Sequence, residues 1–556
     1  THYGAEVGWG SGAGDDAGRP TAASTPTGDP RVHGVEGPAG AGRAGLQASV
    51  SRLVYDGFRE HAAADKRFAS VRGQWTGVRD AVRVVGHAVA YEAENPGSLS
   101  SELMAEDRTQ AYTFNVAQAT GEAAEQAQVG VTWRRALGRL GDDPVESGSP
   151  VEPPAAPRSE TGGLGARSLE VTGWALARDL DNPIPPVIID LSRRAAGVRV
   201  SVRGSVAAAG RAVGWVAGLD AGGQWDDREN RENEGGRRGA LVLDQAESVT
   251  TVAPFAELSA PVAGPVSALA GLRYDRHRFS ADDRLIRAGD PGSDASGARL
   301  MDQVSPSLGL TAELGATSGY VSVASSFETP TTTELVNRPS GGAGFNPELE
   351  PQRAWSVEAG VRTRARGRVR LHLAAYRTAI RDGLIPFEVP SEPGRTFFRN
   401  AGSAIHRGLE LDGWAGLGGG LSARLGYAWV DARFDDYVTP DGDRSGNRVP
   451  GVAPHRLTGG LTWVGGAGRV ALSGRWIDAI PANDENTARA PSYTLLDIRL
   501  ATGTLGLAAG SLEMFAGVDN VLDVEYTASL VVNAFGGRYY EPGPGRSVYA
   551  GVRLGM

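Results

Sequence analysis

The feature that most limits what this chain can fold into is an alternation of apolar and polar residues with a period of two. In the segment 355–362, Trp355, Val357, Ala359 and Val361 take the odd positions, and Ser356, Glu358, Gly360 and Arg362 the even ones. Near the C-terminus Val548, Ala550, Val552, Leu554 and Met556 share one face, with Ser547, Gly551 and Arg553 on the other. Ala69, Val71 and Trp75 oppose Ser70, Arg72 and Gln74, and Leu496, Ile498 and Leu500 oppose Asp497 and Arg499. The pattern already opens at Tyr3 and runs to Trp9. A helix would scatter these residues over every face, so the segments are strands. One face of each meets an apolar medium and the other meets water or polar filling. A soluble sandwich and a membrane barrel both satisfy that.

The connections separate the two. The alternation predicts about 22 strands, joined alternately by short and long segments. The short ones are 39–42, 77–79, 316–318, 364–367, 416–420 and 465–468; the long ones are 10–28, 95–122, 224–245, 277–302, 329–351, 435–454 and 523–545. Short turns on one side and long loops on the other mark an outer-membrane barrel. The segment 138–165 breaks the rule, being long and Pro-rich where a short turn is expected. The expected fold is thus all-β: one transmembrane antiparallel β-barrel over 1–556, with short periplasmic turns and long extracellular loops. An open edge in hydrocarbon would leave backbone groups unpaired at several kcal/mol each, so the sheet must close. A ring that wide normally carries a plugged lumen. Trp9, Tyr55, Trp133, Trp174, Trp414, Trp463, Trp476, Tyr526 and Tyr549 near strand ends are expected to form interfacial girdles.

Composition removes other classes. The 78 glycines follow no three-residue period, which excludes collagen, and cluster instead in turns and at alternate strand positions. The absence of cysteine excludes disulfides and thiolate metal sites and suits export through an oxidising periplasm. A net charge of −9 spread over both signs argues against a nucleic-acid surface. There is no apolar run long enough for a membrane-spanning helix, and no signal peptide at Thr1, so an exported chain is expected here in mature or trimmed form. The eight histidines show no metal-ligand spacing. Asp441-Gly442-Asp443 resembles the start of a Ca²⁺ loop, but its twelfth position is Val452, which supplies no closing carboxylate. With no nucleophile elbow and no phosphate loop, neither enzymatic activity nor a cofactor nor a metal is expected. Glu358, Glu410 and Asp497, alternating with Arg362 and Arg499, are expected to form a ladder of charge pairs in the lumen.

The second half carries a family resemblance. The run from Ser318 to Phe327, followed by Glu328-Thr-Pro-Thr-Thr-Thr-Glu-Leu335, resembles TonB-dependent outer-membrane receptors. Asn346-Pro-Glu-Leu-Glu-Pro-Gln352, Asn400-Ala-Gly402 with Arg407-Gly-Leu-Glu410, Pro454-His-Arg-Leu457, Tyr493-Thr-Leu-Leu-Asp497, Val518-Asp-Asn-Val-Leu-Asp523 with Tyr526, and Glu541-Pro-Gly-Pro-Gly-Arg546 follow in the family's order. The resemblance is weaker before Ser318, around Asp56-Gly-Phe-Arg59 and Gln126-Ala-Gln128. Two features depart from it: no N-terminal plug domain with a TonB-binding segment precedes the first strand of 1–556, and the last residue is Met556 where the family has an aromatic.

The resemblance implies an outer-membrane receptor that takes up a scarce ligand, typically a ferric siderophore, driven by the TonB system when a plug is present. The alternative is a plugless barrel acting as scaffold or partner-binding subunit. Either way the implied partners are outer-membrane lipid, lipopolysaccharide and a separately supplied plug or other lumen-filling element. Ligand contacts are expected from the upper loops: Trp225, Asp226, Asp227 and Arg228 at the crown of one hairpin, Phe327, Glu328 and Thr329 where a strand enters a loop, and Tyr437, Asp441, Asp443 and Arg444 on another. Aromatic rings beside arginines suit an anionic, aromatic chelate. The plainer reading of the same residues is solvated loop tips.

Overall fold

The alternation becomes strands because only a pleated chain puts every second side chain on one face. The computed structural model describes residues 2–10 (backbone only), 43–138, 167–286, 294–339, 344–365, 367–392, 394–507 and 510–555. Its sheet strands are β1 (His2–Gly10), β2 (Arg43–Tyr55), β3 (Ala64–Thr76), β4 (Asp80–Glu94), β5 (Gly121–Ala136), β6 (Arg167–Pro183), β7 (Val187–Ala208) and β8 (Arg211–Asn233). There follow β9 (Arg238–Ala263), β10 (Val266–Asp283), β11 (Gly297–Leu314), β12 (Thr317–Glu328), β13 (Gln352–Ala365), β14 (Val369–Phe387) and β15 (Phe397–Gly418). The series closes with β16 (Leu421–Asp436), β17 (His455–Gly465), β18 (Gly468–Ile477), β19 (Tyr493–Thr502), β20 (Leu505–Leu507), β21 (Gly510–Asp519) and β22 (Ser547–Gly555). All 22 belong to one sheet. β19 and β20 are successive pieces lying on the same neighbour, β21, so the antiparallel meander has 21 places.

The sheet is rolled. Leu99, between β4 and β5, exchanges backbone hydrogen bonds of 2.8 and 3.0 Å with Tyr540, between β21 and β22. In a flat sheet with strands about 4.8 Å apart those connections would be roughly 75 Å from each other.

The facing follows the predicted alternation. Trp355, Val357 and Val361 are about half exposed on the outer face, and Val548, Val552 and Leu554 still more so. The even-numbered residues of β13 turn inward, where the Tyr320 hydroxyl donates to Glu358 at 2.5 Å. The lumen wall does carry a charge ladder. Arg134 pairs with Glu170, Arg553 with Glu513, and Asp220 sits between Arg199 and Arg273. Its partners differ in part from those expected. Arg499 approaches Asp519 at 3.8 Å, Glu358 takes a tyrosine, and Asp497 accepts the Asn520 backbone N–H. Two lumen glycines exist for a steric reason. Gly360 and Gly408 lie directly opposite Tyr320 and Tyr376, and a Cβ on either would come within about 2.5 Å of the facing ring.

The expected turns at 77–79, 316–318, 364–367, 416–420 and 465–468 fall between paired strands. The connections expected at 10–28, 39–42 and, from residue 139, 138–165 lie outside the described residues, as does the Trp9 side chain. The 224–245 loop is a correction: β8 and β9 run on through it and turn only at 234–237. The girdle is a correction in part. Trp133, Trp463 and Trp476 share faces with lipid-facing Val171, Leu461 and Leu457. Trp174, Trp414 and Tyr549 turn inward: Trp174 over Gly197, Trp414 under Arg370 at 4.6 Å, and Tyr549 over Gly517. Tyr526 lies in the 520–546 connection, its ring tilted against Tyr493 with centroids 4.9 Å apart.

Candidate ligand-binding mouth

The upper connections fold over the lumen and hold one another. The helix α1 (Ser101–Glu106) and the short α2 (Thr113–Ala117) lie in the 95–120 connection. From it Arg108 donates to the carbonyls of Tyr526 and Gly543 at 3.2 and 2.8 Å. Arg538 of the 520–546 connection is buried, pairs with Glu388 at 3.0 Å and places its guanidinium 4.5 Å from the Tyr112 ring. Asn233 reaches from the β8–β9 turn to the carbonyls of Gln118 and Ile184. Arg395 donates to Asn337 at 2.9 Å, and a Cβ on Gly394 would touch the Pro185 ring at 3.6 Å. The mouth is therefore a canopy of mutually bonded loops.

Strand alternation sorts the first predicted cluster. Asp226 and Arg228 point inward and are buried; Trp225, 54% exposed, and Asp227 point outward. Asp226 takes a two-point ion pair from Arg193, at 2.9 and 2.7 Å. Arg228 pairs with Glu247 at 2.7 Å and also donates to the Thr333 hydroxyl. These two hold the barrel wall and the 329–351 connection in place, and Trp225 looks away from the mouth.

Thr333 stands on helix α3 (Thr332–Val336), which Thr331 and Glu334 start with a reciprocal capping box. Leu335 of this helix is fully buried with Phe279, Met301, Phe345 and Leu349, and Phe327 packs against that cluster. The neighbouring Glu328 is exposed and accepts from Gln352 at 3.1 Å.

The third predicted group ties the 437–454 connection to the 478–492 connection. Tyr437 is 2% exposed, and its hydroxyl donates to Asp484 at 3.0 Å. Burial pushes both acids up from their ordinary pKa values, the Asp484 carboxylate adding to the effect on Tyr437. Arg399, which sequence reasoning missed, completes the group. Its guanidinium stands 4.4 Å from the Phe387 ring, 5.9 Å from Tyr437 and 4.0 Å from the Asp484 carboxylate. The side chain of Arg399 is still 32% exposed. Arg444 pairs with Glu485 at 2.5 Å. Asp443 caps the turn at Ser445, whose hydroxyl and N–H hold its carboxyl below the usual range. Among the described residues no group of three or more His, Asp or Glu converges as a metal ion would need.

This architecture has known counterparts. The family model for the TonB dependent receptor-like β-barrel matches residues 55–521. The chain belongs to the TonB-dependent receptor family. A ferrioxamine receptor of Yersinia enterocolitica is 28% identical over 208 residues, a match taking in 37% of this chain and 28% of that protein. Among solved structures, the unliganded ferric citrate transporter FecA superposes with a TM-score of 0.71 at 16% identity, covering 93% of this chain and 73% of that one. The ferric yersiniabactin uptake receptor FyuA of Yersinia pestis gives 0.70 at 16% identity, over 94% and 77%. The family and fold are those of outer-membrane transporters and receptors, and no helix among the described residues is long and apolar enough to cross a membrane.

In this TonB-dependent receptor barrel the family motifs have structural work in the canopy. Asn346 caps its own turn at Glu348, and Arg299 clamps the carbonyls of Asn346 and Leu349. Asn400 ties Glu350 to Asp382, and Asn520 bonds Val524 and Asp497. The receptor's signal for Arg399 lay in plain sight: an arginine following Phe397-Phe398 at the top of a strand.

Proposed function

We propose that this chain is the membrane-spanning barrel of an uptake receptor for an anionic iron chelate of the siderophore class. The observation that carries the reading is Arg399, held over Phe387 and Tyr437 at the mouth with about a third of its side chain exposed. A cation on an aromatic platform attracts an anionic, partly aromatic ligand. The names of the similar proteins point the same way: ferrioxamine, ferric citrate and ferric yersiniabactin are all iron chelates. Arg399, with Tyr437 behind it, is the core of the proposed site. Glu328 and the 437–454 connection bearing Arg444 lie at its margin. Phe327, Asp226 and Arg228 support the canopy, and Trp225 takes no part.

Transport by such a barrel draws on the TonB system through a plug, and the plug or another element fills the lumen. Titration of the detergent-solubilised barrel with ferric hydroxamate, ferric catecholate and ferric citrate, read by intrinsic fluorescence, tests the reading. One chelate class should bind, and Arg399→Ala should weaken it roughly tenfold, the scale of a central interface arginine. No binding by any of the three would reject it.

A further inference from the structure

The outer wall above the membrane belt is electrically divided. Over β3 to β9 its upper, outward-facing positions are dominated by carboxylates, among them Asp65, Asp179, Asp181 and Asp190. The arginines there are already engaged: Arg52 with Asp65, and Arg238 with both Asp181 and Asp190. Over β14 to β16 the sign reverses. Arg377 faces Arg407 across the β14–β15 ladder, Arg407 faces Asp431 across the next, and Arg433 follows two positions above. Arg381 stands above Arg377, and Arg448 joins from the 437–454 connection, bridged to Arg433 and 3.8 Å from Asp431.

Five arginines thus face two carboxylates, Asp431 and Asp435. Asp431 is occupied by Arg433 at 2.9 Å, and Asp435 accepts the Ser403 hydroxyl. Arg377, Arg381 and Arg407 are exposed and make no ion pair with any described residue. Like charges opposed across a ladder cost stability unless something else neutralises them. A cavity of about 230 Å³, lined by Ile405, Arg407, Asp431, Arg433, Phe434 and Gly446 together with Asp435, opens in this patch.

Height decides what the patch meets. Arg407 lies two residues above Leu409 on the same face, and Asp431 two above Trp429. That step is about 7 Å along a strand. Leu373 and Leu409 are roughly half exposed in the apolar belt. Just beside them Tyr427, His455 and Trp476 stack in series, with the Tyr427 hydroxyl 2.9 Å from the imidazole. Aromatic side chains of this kind mark the membrane–water boundary. The arginines therefore stand in the layer of the outer-leaflet headgroups.

We propose that Arg377, Arg407 and Arg433, with Arg381 and Arg448 at the edge, form a binding site on the barrel exterior for the phosphorylated headgroup of an outer-leaflet glycolipid, the lipid A part of lipopolysaccharide. Clustered basic residues at a membrane surface recognise phosphorylated headgroups, and arginine binds phosphate through two parallel hydrogen bonds. Acyl chains of the same molecule would lie on Leu373, Leu409 and Trp429.

The test is lipid retention. Barrel refolded with lipopolysaccharide is exchanged into detergent, and bound lipid A is counted by mass spectrometry. The parent should keep about one or more molecules per barrel. Arg377→Gln/Arg407→Gln/Arg433→Gln should lose most of it, whereas Arg67→Gln/Arg194→Gln on the acidic side should not. Folding of each variant is checked by its heat-modifiable gel mobility, and single Arg→Gln variants replace the triple if it fails that check. Lipid A stripped of its phosphates should bind several-fold more weakly, and inorganic phosphate should compete only at millimolar levels. Equal retention by parent and folded variant, or equal retention of dephosphorylated lipid A, would overturn the proposal.

Discussion

Arg538 and Glu388 form a buried ion pair, 3.0 Å apart, that joins the 520–546 connection to the one following β14. With the Leu99–Tyr540 bridge and Arg108 it fastens the 520–546 connection to the loops that follow β4 and β14. Breaking one side of a buried pair leaves an uncompensated charge and costs about 3–5 kcal/mol. Arg538→Ala should therefore loosen the canopy while the barrel wall persists. Hydrogen exchange should show faster exchange in 95–120 and 520–546 and unchanged protection in β13 to β15. Unaltered loop protection would contradict the assignment.

Closure of the sheet has its own test. Arg108 and Glu525 approach at 4.0 Å, and the chain has no native cysteine. Arg108→Cys with Glu525→Cys should be joined within one molecule by a short thiol-reactive linker, giving a faster-migrating band. An unrolled sheet would hold these positions tens of ångströms apart and yield no such band.

The two faces of β13 should respond oppositely to charge. Val357→Arg puts a cation against lipid and should cost about 2–4 kcal/mol near the midplane. Glu358→Arg, directed into the lumen, should cost far less, losing mainly the hydrogen bond from Tyr320. Urea-driven unfolding in vesicles measures both, and a reversed order would refute the facing.

Close approach of ring and backbone predicts a rescue. A Cβ at Gly360 would sit 2.5 Å from the Tyr320 ring, so Gly360→Val should reduce the folded fraction severalfold on a heat-modifiability gel. Adding Tyr320→Ala should recover part of it. If the second substitution made matters worse, crowding would not be the reason for the glycine.

Asp484 supplies a pH dependence. Its pKa is raised from 3.8 in the folded protein by burial, which outweighs the hydrogen bonds and arginines that lower it. Between 3.8 and the raised value the unfolded chain has lost a proton that the folded one keeps, so stability falls as pH rises through that window. The contacts among 437–454, 478–492 and Tyr437 should be tighter at pH 4 than at pH 7 by hydrogen exchange. Asp484→Asn should flatten that difference, and a slope that survived the substitution would assign it to another group.

We infer a filled lumen from the width of the barrel. An unobstructed barrel of this size conducts freely, so the natively assembled receptor should show only small, intermittent currents in planar bilayers. Large steady currents would mean the lumen is empty.

The barrel was legible because its solvent problem is periodic: Val357 and Glu358 face media so different that the alternation cannot drift. The turns were legible for a local reason, since Gly418, Gly419 and Gly420 all take positive φ. The loop ends were less so. Trp225 to Arg228 looked like a hairpin tip because they are polar and crowded, yet β8 and β9 extend well past the membrane, where polar residues on both faces no longer report burial. Tyr437 read as an exposed contact and is a buried anchor, because its partner Asp484 comes from a different connection, and no local pattern records such a meeting. The family motifs, by contrast, were readable through their turn chemistry: Asn520 and Asp523 carry φ of 50° and 56° and bond their own neighbours.

The rim contacts also bear on when the molecule is finished. Leu99 is synthesised well before Tyr540, with seventeen strand segments of the sheet between them, so their bridge cannot form until all of that intervening chain has arrived at the membrane. The clasp is thus a late step of assembly: a barrel that has inserted its wall but not fastened its crown still lacks the closure of its outer mouth.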